Sequence, residues 1–185
     1  MKQIILVRHS EVDIDYHKNI TSYEFGKWIE EYNNAKINIP NHINSDLIEI
    51  FNTSDIVLSS KLQRSKDTIK LFNKDIFEEN FIFNEFEIPY NKNKLLRLKP
   101  KMWLVIYRVL WFLGFSKYSE SFKESKIRVQ LSVNKLIEVS NQYNSIILVG
   151  SGLINRFIFN GLSKNGWKTI KKLSNENLGY GILKK

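Results

Sequence analysis

The sequence predicts a single α/β domain, a three-layer α/β/α sandwich around a mixed, mainly parallel sheet. Three observations carry this. Ile4-Ile5-Leu6-Val7 and Ile146-Ile147-Leu148-Val149 are short, β-branched, wholly apolar runs, as expected of strands buried on both faces. Segments of helical spacing alternate with such runs along the chain. The chain has 185 residues, 43% of them hydrophobic, which suits one domain with a sizeable core.

Asp55 to Ser59 reads as a third strand, Phe81-Ile82-Phe83 as a fourth, and Tyr180 to Leu183 as a late edge strand. Tyr23 to Ala35 reads as a helix with Phe25, Trp28, Ile29 and Tyr32 on one face. Ser60-Lys61-Leu62-Gln63 has the pattern of a capping box, with Ser60 as N-cap and Gln63 reaching back. Leu62, Ser65, Ile69 and Phe72 continue that helix. Val129, Val133, Leu136 and Ile137 mark a long helix ending near Gln142. Leu153 to Leu162 is launched from the turn Gly150-Ser151-Gly152. Residues 90–118 are a candidate lid insertion, beginning with the Lys-rich segment Asn91 to Pro100. The helix that follows is apolar nearly all round, which calls for burial on more than one side.

Lys and Arg number 28 against 19 Asp and Glu, a net charge of +9. That excess favours anionic partners, although a Lys- and Asn-rich composition accounts for it equally well. Cysteine is absent, which excludes disulfides, thiolate-bound metals and a Cys nucleophile. The three histidines, His9, His17 and His42, lack ligand spacing, so no metal site is expected. The first apolar run is too short for a signal-peptide core. Met102 to Phe115, interrupted by Arg108 and Gly114, falls short of the roughly 20 residues a bilayer span needs. The chain is expected to be cytoplasmic, without membrane association.

Two segments carry chemistry. Leu6-Val7-Arg8-His9-Ser10 brings a guanidinium and an imidazole to the carboxyl end of a buried strand, where α/β folds bind ligands. A neutral imidazole can act as a nucleophile, and an adjacent Arg can grip a phosphoryl group through paired hydrogen bonds. By itself, the pair is more commonly explained by a structural His at a strand end. Leu58 to Thr68 is a strand followed by a helix start with Arg64 in the first turn, adding a full charge where anions already bind well.

At these segments the sequence resembles the histidine phosphatase superfamily, which includes the cofactor-dependent phosphoglycerate mutases. Arg8-His9-Ser10 resembles its Arg-His-Gly signature. Ser59-Ser60 through Thr68 is similar to its Ser-Ser-x-x-x-Arg-[Ala/Ser]-x-x-Thr segment. Phe83 to Pro89 lies where the family carries an acidic residue, Val149 to Arg156 resembles its Val-x-His-Gly-x-x-x-Arg segment, and Glu120-Ser121 with Arg128 resembles its Glu-Ser…Arg pattern. The resemblance implies a phosphoglycerate mutase-like fold and a phosphomonoesterase without cofactor. His9 would attack phosphorus while Arg8 and Arg64 clamp the phosphoryl oxygens. Glu85, with Glu87 as second candidate, would serve as acid and then base from a partly desolvated pocket. Ser10, Ser151 and Gly152 would line the substrate site, and the partner would be a phosphorylated small molecule rather than nucleic acid. The expected pocket lies at the carboxyl ends of the strands ending near Val7 and Val149.

Two positions depart from the pattern. Ser151 stands where the family has a second histidine, and Asn84 where an Arg often precedes the acid. Losing an electrostatic donor at a developing charge typically costs about 10²–10³ in rate. The alternative is therefore a phosphate-ligand-binding protein without turnover. A serine hydrolase centred on Ser151 fails, because no His follows His42. Gly161 to Thr169 reads Gly-x4-Gly-x-Lys-Thr, one residue off a P-loop and after a helix rather than a strand. A nucleic-acid reading rests on Lys92, Lys94, Arg97, Lys99 and Lys101 between Tyr90 and Trp103, with no recognised motif behind it. Phosphomutase activity is the less favoured enzymatic variant.

Overall fold

The computed structural model describes all residues, 1–185. In chain order the elements are β1 (Gln3–Arg8), β2 (Ile20–Thr21), α1 (Ser22–Asn34), α2 (Ser45–Thr53), β3 (Ile56–Ser59) and α3 (Gln63–Lys70). There follow β4 (Glu78–Glu79), a 3-10 turn (Phe81–Phe83), β5 (Arg97–Leu98), α4 (Pro100–Phe112) and α5 (Phe122–Val139). The chain closes with β6 (Ser145–Gly150), α6 (Gly152–Lys164), β7 (Lys168–Lys171) and β8 (Tyr180–Lys184). Six strands form one sheet in the order β4-β3-β6-β1-β8-β7. The first four are mutually parallel, β8 runs antiparallel to β1, and β7 pairs antiparallel with β8. No helix is long and apolar enough to cross a membrane.

The apolar runs divide their side chains between two cores, as strand alternation requires. Ile4, Leu6, Ile146 and Leu148 pack with Val133 and Leu136 of α5 and Ile154, Ile158 and Leu162 of α6. Ile5, Val7, Ile147 and Val149 face the opposite layer, against Leu47 and Phe51 of α2 and Ile69 of α3. A third cluster lies apart from the sheet, where Phe25 and Trp28 of α1 meet Trp103 and Tyr107 of α4. The short β2–β5 pair joins the same region.

Several expectations are corrected. Phe81-Ile82-Phe83 is a 3-10 turn, capped by the Asn80 side chain, which accepts the N–H of Ile82. Its Ile82 and Phe83 fill the α5-side core, and the strand in this region is the acidic pair Glu78-Glu79, which carries no apolar signal. β8 is internal rather than an edge, because β7 covers it. All four β7 residues are exposed, and three are lysine or threonine, residues that suit a protected sheet edge. The capping box at Ser60 does not form. The helix starts later, with Leu62 at its N-cap and no side-chain cap, because the Ser60 hydroxyl turns inward to Ser65 at 2.7 Å and Gln63 pairs with Asp67. Finally, α4 is buried along one side only, through Trp103, Tyr107 and Trp111. Val105, Val109 and Phe112 remain exposed.

Candidate active site

Parallel β1 and β6 end side by side, with Arg8 in register with Gly150. Their exits place Arg8-His9 and Ser151-Gly152 on one rim, at the carboxyl ends of the strands. A cavity of about 580 Å³ opens there, and Arg8, His9, Arg64, Glu85, Ser151 and Gly152 all line it. A larger cavity of about 740 Å³ contains Ser10, Glu11, His42 and Lys171. Its charged lining is Glu11, Lys171 and Glu176, whereas the smaller cavity gathers four arginines and one carboxylate around His9.

His9 is 3% exposed. Its Nδ1 donates to the carbonyl oxygen of Ser10 at 2.6 Å. A carbonyl can only accept, so this bond fixes the proton on Nδ1 and leaves the Nε2 lone pair free. Burial, then the charges of Arg64 and Arg8, hold the imidazole far below its usual value of 6.5, at about 3, against the opposing pull of the Ser10 bond. The ring is neutral across the physiological range.

Arg64 enters from the first turn of α3 and is 2% exposed. Its Nε donates to the Ser151 hydroxyl at 3.3 Å and its Nη1 to the Asn33 side chain at 3.0 Å. The guanidinium lies over the Tyr32 ring, 4.6 Å from its centroid, which holds its plane. Arg8 reaches across to the backbone carbonyl of Asn175, while its buried Nε has no protein partner. Gly152 lies against that side chain, since a Cβ there would make ordinary van der Waals contact with Arg8 Cδ and Nε at 3.5 Å.

Glu85 is the one carboxylate on the cavity wall. Its Oε1 accepts from the N–H groups of Phe86 at 2.9 Å and Ile154 at 3.1 Å, and its Oε2 from Leu153 at 3.1 Å. The carboxylate thus caps the N-terminus of α6, and Oε2 keeps a second lone pair for another partner. Arg128 fixes the loop that carries it, donating to the carbonyls of Ile82, Asn84 and Glu85 and pairing with Glu120. Glu87 is turned away: its carboxylate accepts the N–H of Glu120, and it does not line this cavity. Asn84 accepts the N–H of Lys61 at 2.8 Å, a structural tie between two loops. Ser10 is close in sequence but not on the wall. Its hydroxyl donates to the Asn38 carbonyl.

Two further guanidinium groups line the cavity. Arg156 is bonded to the Asn175 side chain. Arg108 descends from α4 and donates to the carbonyls of Phe86 and Glu87. In the sequence Arg108 stands only as an interruption of an apolar run. A lone charge in such a run was the available signal. Asn33 and Asn175 had none. In the basic segment, Trp103 is buried with its Nε1 donating to the Ile20 carbonyl, so it is no platform for a base.

No protein-family profile and no curated protein sequence matches the chain. Solved structures do. The structure of a phosphoserine phosphatase from Entamoeba histolytica in complex with 3-phosphoglyceric acid matches with a TM-score of 0.55 at 16% identity, over 98% of this chain and 90% of that one. A mycobacterial glucosyl-3-phosphoglycerate phosphatase complexed with VO3 matches with a TM-score of 0.57 at 11% identity, over 100% and 96%. The product of a Mycobacterium tuberculosis open reading frame matches with a TM-score of 0.59 at 16% identity, over 98% and 90%. The chain has the phosphoglycerate mutase-like α/β/α fold of these proteins.

Proposed function

We propose that the chain is a phosphomonoesterase in which His9 carries the phosphoryl group. The observation that supports this most is the tautomer of His9: with Nδ1 donating to Ser10, a neutral ring offers Nε2 as nucleophile in a cavity lined by four guanidinium groups. In the first step Nε2 forms a bond to phosphorus, the ester P–O bond breaks, and its electron pair leaves with the alkoxide. Glu85, acting as general acid in this step, delivers a proton to that oxygen through Oε2. In the second step the Glu85 carboxylate takes a proton from water, the water oxygen bonds to phosphorus, and the N–P bond breaks to return neutral His9. Arg8 and Arg64 bind the equatorial oxygens and offset the charge that accumulates on them. The unpartnered Nε of Arg8 is a donor ready for such an oxygen. The Ser151 hydroxyl, which accepts from Arg64, keeps its own hydrogen free to donate to the phosphoryl group.

A second reading follows from Ser151. An uncharged, short donor stabilises developing charge less than an imidazolium would, which favours a protein that binds phosphorylated ligands without turning them over. Phosphate release from a generic aryl phosphate decides between the two, with this chain, Ser151→His and His9→Ala compared. Release by the chain that is lost in His9→Ala supports the phosphatase. Equal release by His9→Ala removes the mechanism. Activity confined to Ser151→His supports the binder.

A further inference from the structure

The outward face of α4 has the wrong chemistry for a solvent-facing helix. Trp103, Tyr107 and Trp111 take the buried side, and the opposite side would ordinarily be polar. Instead Val105 is 65% exposed, Val109 53% and Phe112 44%. All three also line the cavity that holds His9, together with Leu104, Ile88 and Leu153. The site therefore has two unlike halves: guanidinium groups around His9, and a hydrocarbon stripe leading away from them along α4.

We propose that the substrate is a phosphomonoester of an apolar alcohol, an alkyl phosphate whose chain lies along Val105, Val109 and Phe112. This rests on the phosphoryl-binding reading of the cavity and adds the identity of the leaving group. Charge complementarity fixes the orientation, since the dianionic head goes to the arginines while Val105, Val109 and Phe112 offer hydrocarbon alone. Val105 to Phe112 spans about 10 Å of helix, a length that about eight extended carbons cover. Arg108, on the same helix and the same cavity wall, is held to the carbonyls of Phe86 and Glu87. Burial of one methylene multiplies affinity about fourfold when complete and about twofold on a half-open groove.

The test compares glycerol, butyl and octyl phosphates, all below the micellar concentration. We expect kcat/KM to rise about tenfold or more from butyl to octyl, four methylenes at about twofold each, with glycerol phosphate poorest. In Val105→Ser/Val109→Ser the octyl-to-butyl ratio should fall below about threefold. These positions are exposed, so the variant retains the core. A second measurement needs no turnover: calorimetric binding of octyl phosphate and of inorganic phosphate to His9→Ala, where octyl phosphate should bind at least tenfold tighter. Turnover of all esters at equal rates overturns the apolar-alcohol proposal and leaves the phosphatase standing. Tighter binding of octyl phosphate with no turnover of any ester does the reverse. Enhancement only when the ester is embedded in vesicles assigns the stripe to a membrane surface and overturns the proposal. If neither compound binds, both readings fall.

Discussion

The hydroxyl of Thr68 accepts the backbone N–H of Ser10 at 2.9 Å. It donates in turn to the carbonyl of Arg64 at 2.7 Å. One buried side chain thereby ties the segment that presents His9 to the helix that presents Arg64. Thr68→Val keeps the shape and removes the acceptor, leaving the Ser10 N–H unpaired in the interior. A buried unpaired donor costs about 1–3 kcal/mol, and urea unfolding should show a loss of that size. Thr68→Ser should lose less than half as much. Because the imidazole is then less well held against Arg64, kcat on an aryl phosphate should fall more than KM rises.

The imidazole of His9 gives stability a pH dependence of defined sign. Its folded-state value, about 3, lies below the ordinary 6.5. Below pH 6.5 the unfolded chain binds a proton at His9 that the folded chain refuses, so stability falls as pH falls through that window and ceases to fall on this account below about 3. From pH 6.5 to 5 the interval is about 1.5 units, or about 2 kcal/mol. Urea unfolding of the chain and of His9→Gln at both pH values isolates this contribution. The parent should lose about 2 kcal/mol more than the variant. Parallel losses in the two proteins would show that His9 is accessible to protons in the folded state.

What the sequence revealed of fold and site followed from where each signal lay. Ile4 to Val7 and Ile146 to Val149 announced buried parallel strands because both faces of a central strand must be apolar, and they do pair in register. Arg8, His9, Arg64, Glu85 and Ser151 were legible because each sits just past such a strand or in a recognisable motif. The failures have a common origin in tertiary context. Phe81-Ile82-Phe83 is apolar because it fills a core beside α5, not because it joins a ladder. The true edge strands, Glu78-Glu79 and Lys168 to Lys171, are polar because edges face water. Leu104, Val105, Val109 and Phe112 implied burial on a second side, yet that side is the wall of the cavity. Arg108 acquires a role only once α4 lies over the loop carrying Glu85.

Arg128 is a positioning residue for Glu85. It spans three backbone carbonyls of residues 82–85 and the Glu120 carboxylate, with both charged side chains largely buried. Removing one partner of such a pair leaves the other uncompensated, at about 3–5 kcal/mol. Arg128→Met should therefore unfold at markedly lower urea than the parent. Glu120→Gln, which keeps an oxygen acceptor, should cost less than half of that. If Glu85 works through Oε2, Arg128→Lys should lower kcat on an aryl phosphate while affinity for inorganic phosphate changes less than threefold, because Arg8 and Arg64 are untouched. An equal loss in both would place Arg128's effect on the whole fold instead.

Gly150 is required by a side chain rather than by its own backbone angles. A Cβ at this position would lie 2.6 Å from Oδ1 of Asn155. Asn155 is fully buried, and its Nδ2 donates to the carbonyl of Val7 at 3.0 Å. That bond braces the end of β1, which leads into His9, against α6, which follows Ser151. Gly150→Ala must push Asn155 aside and should destabilise the chain by about 1–3 kcal/mol, combining overpacking with a lost buried hydrogen bond. Asn155→Ala alone should cost a similar amount, about 1–3 kcal/mol. In the double variant the clash has nothing to strike, so its cost should stay within about 0.5 kcal/mol of Asn155→Ala, far short of the sum. Measured additivity in urea unfolding would mean that Gly150 is needed for some other reason. The expected non-additivity would assign the tight β6–α6 turn to the brace between Asn155 and Val7.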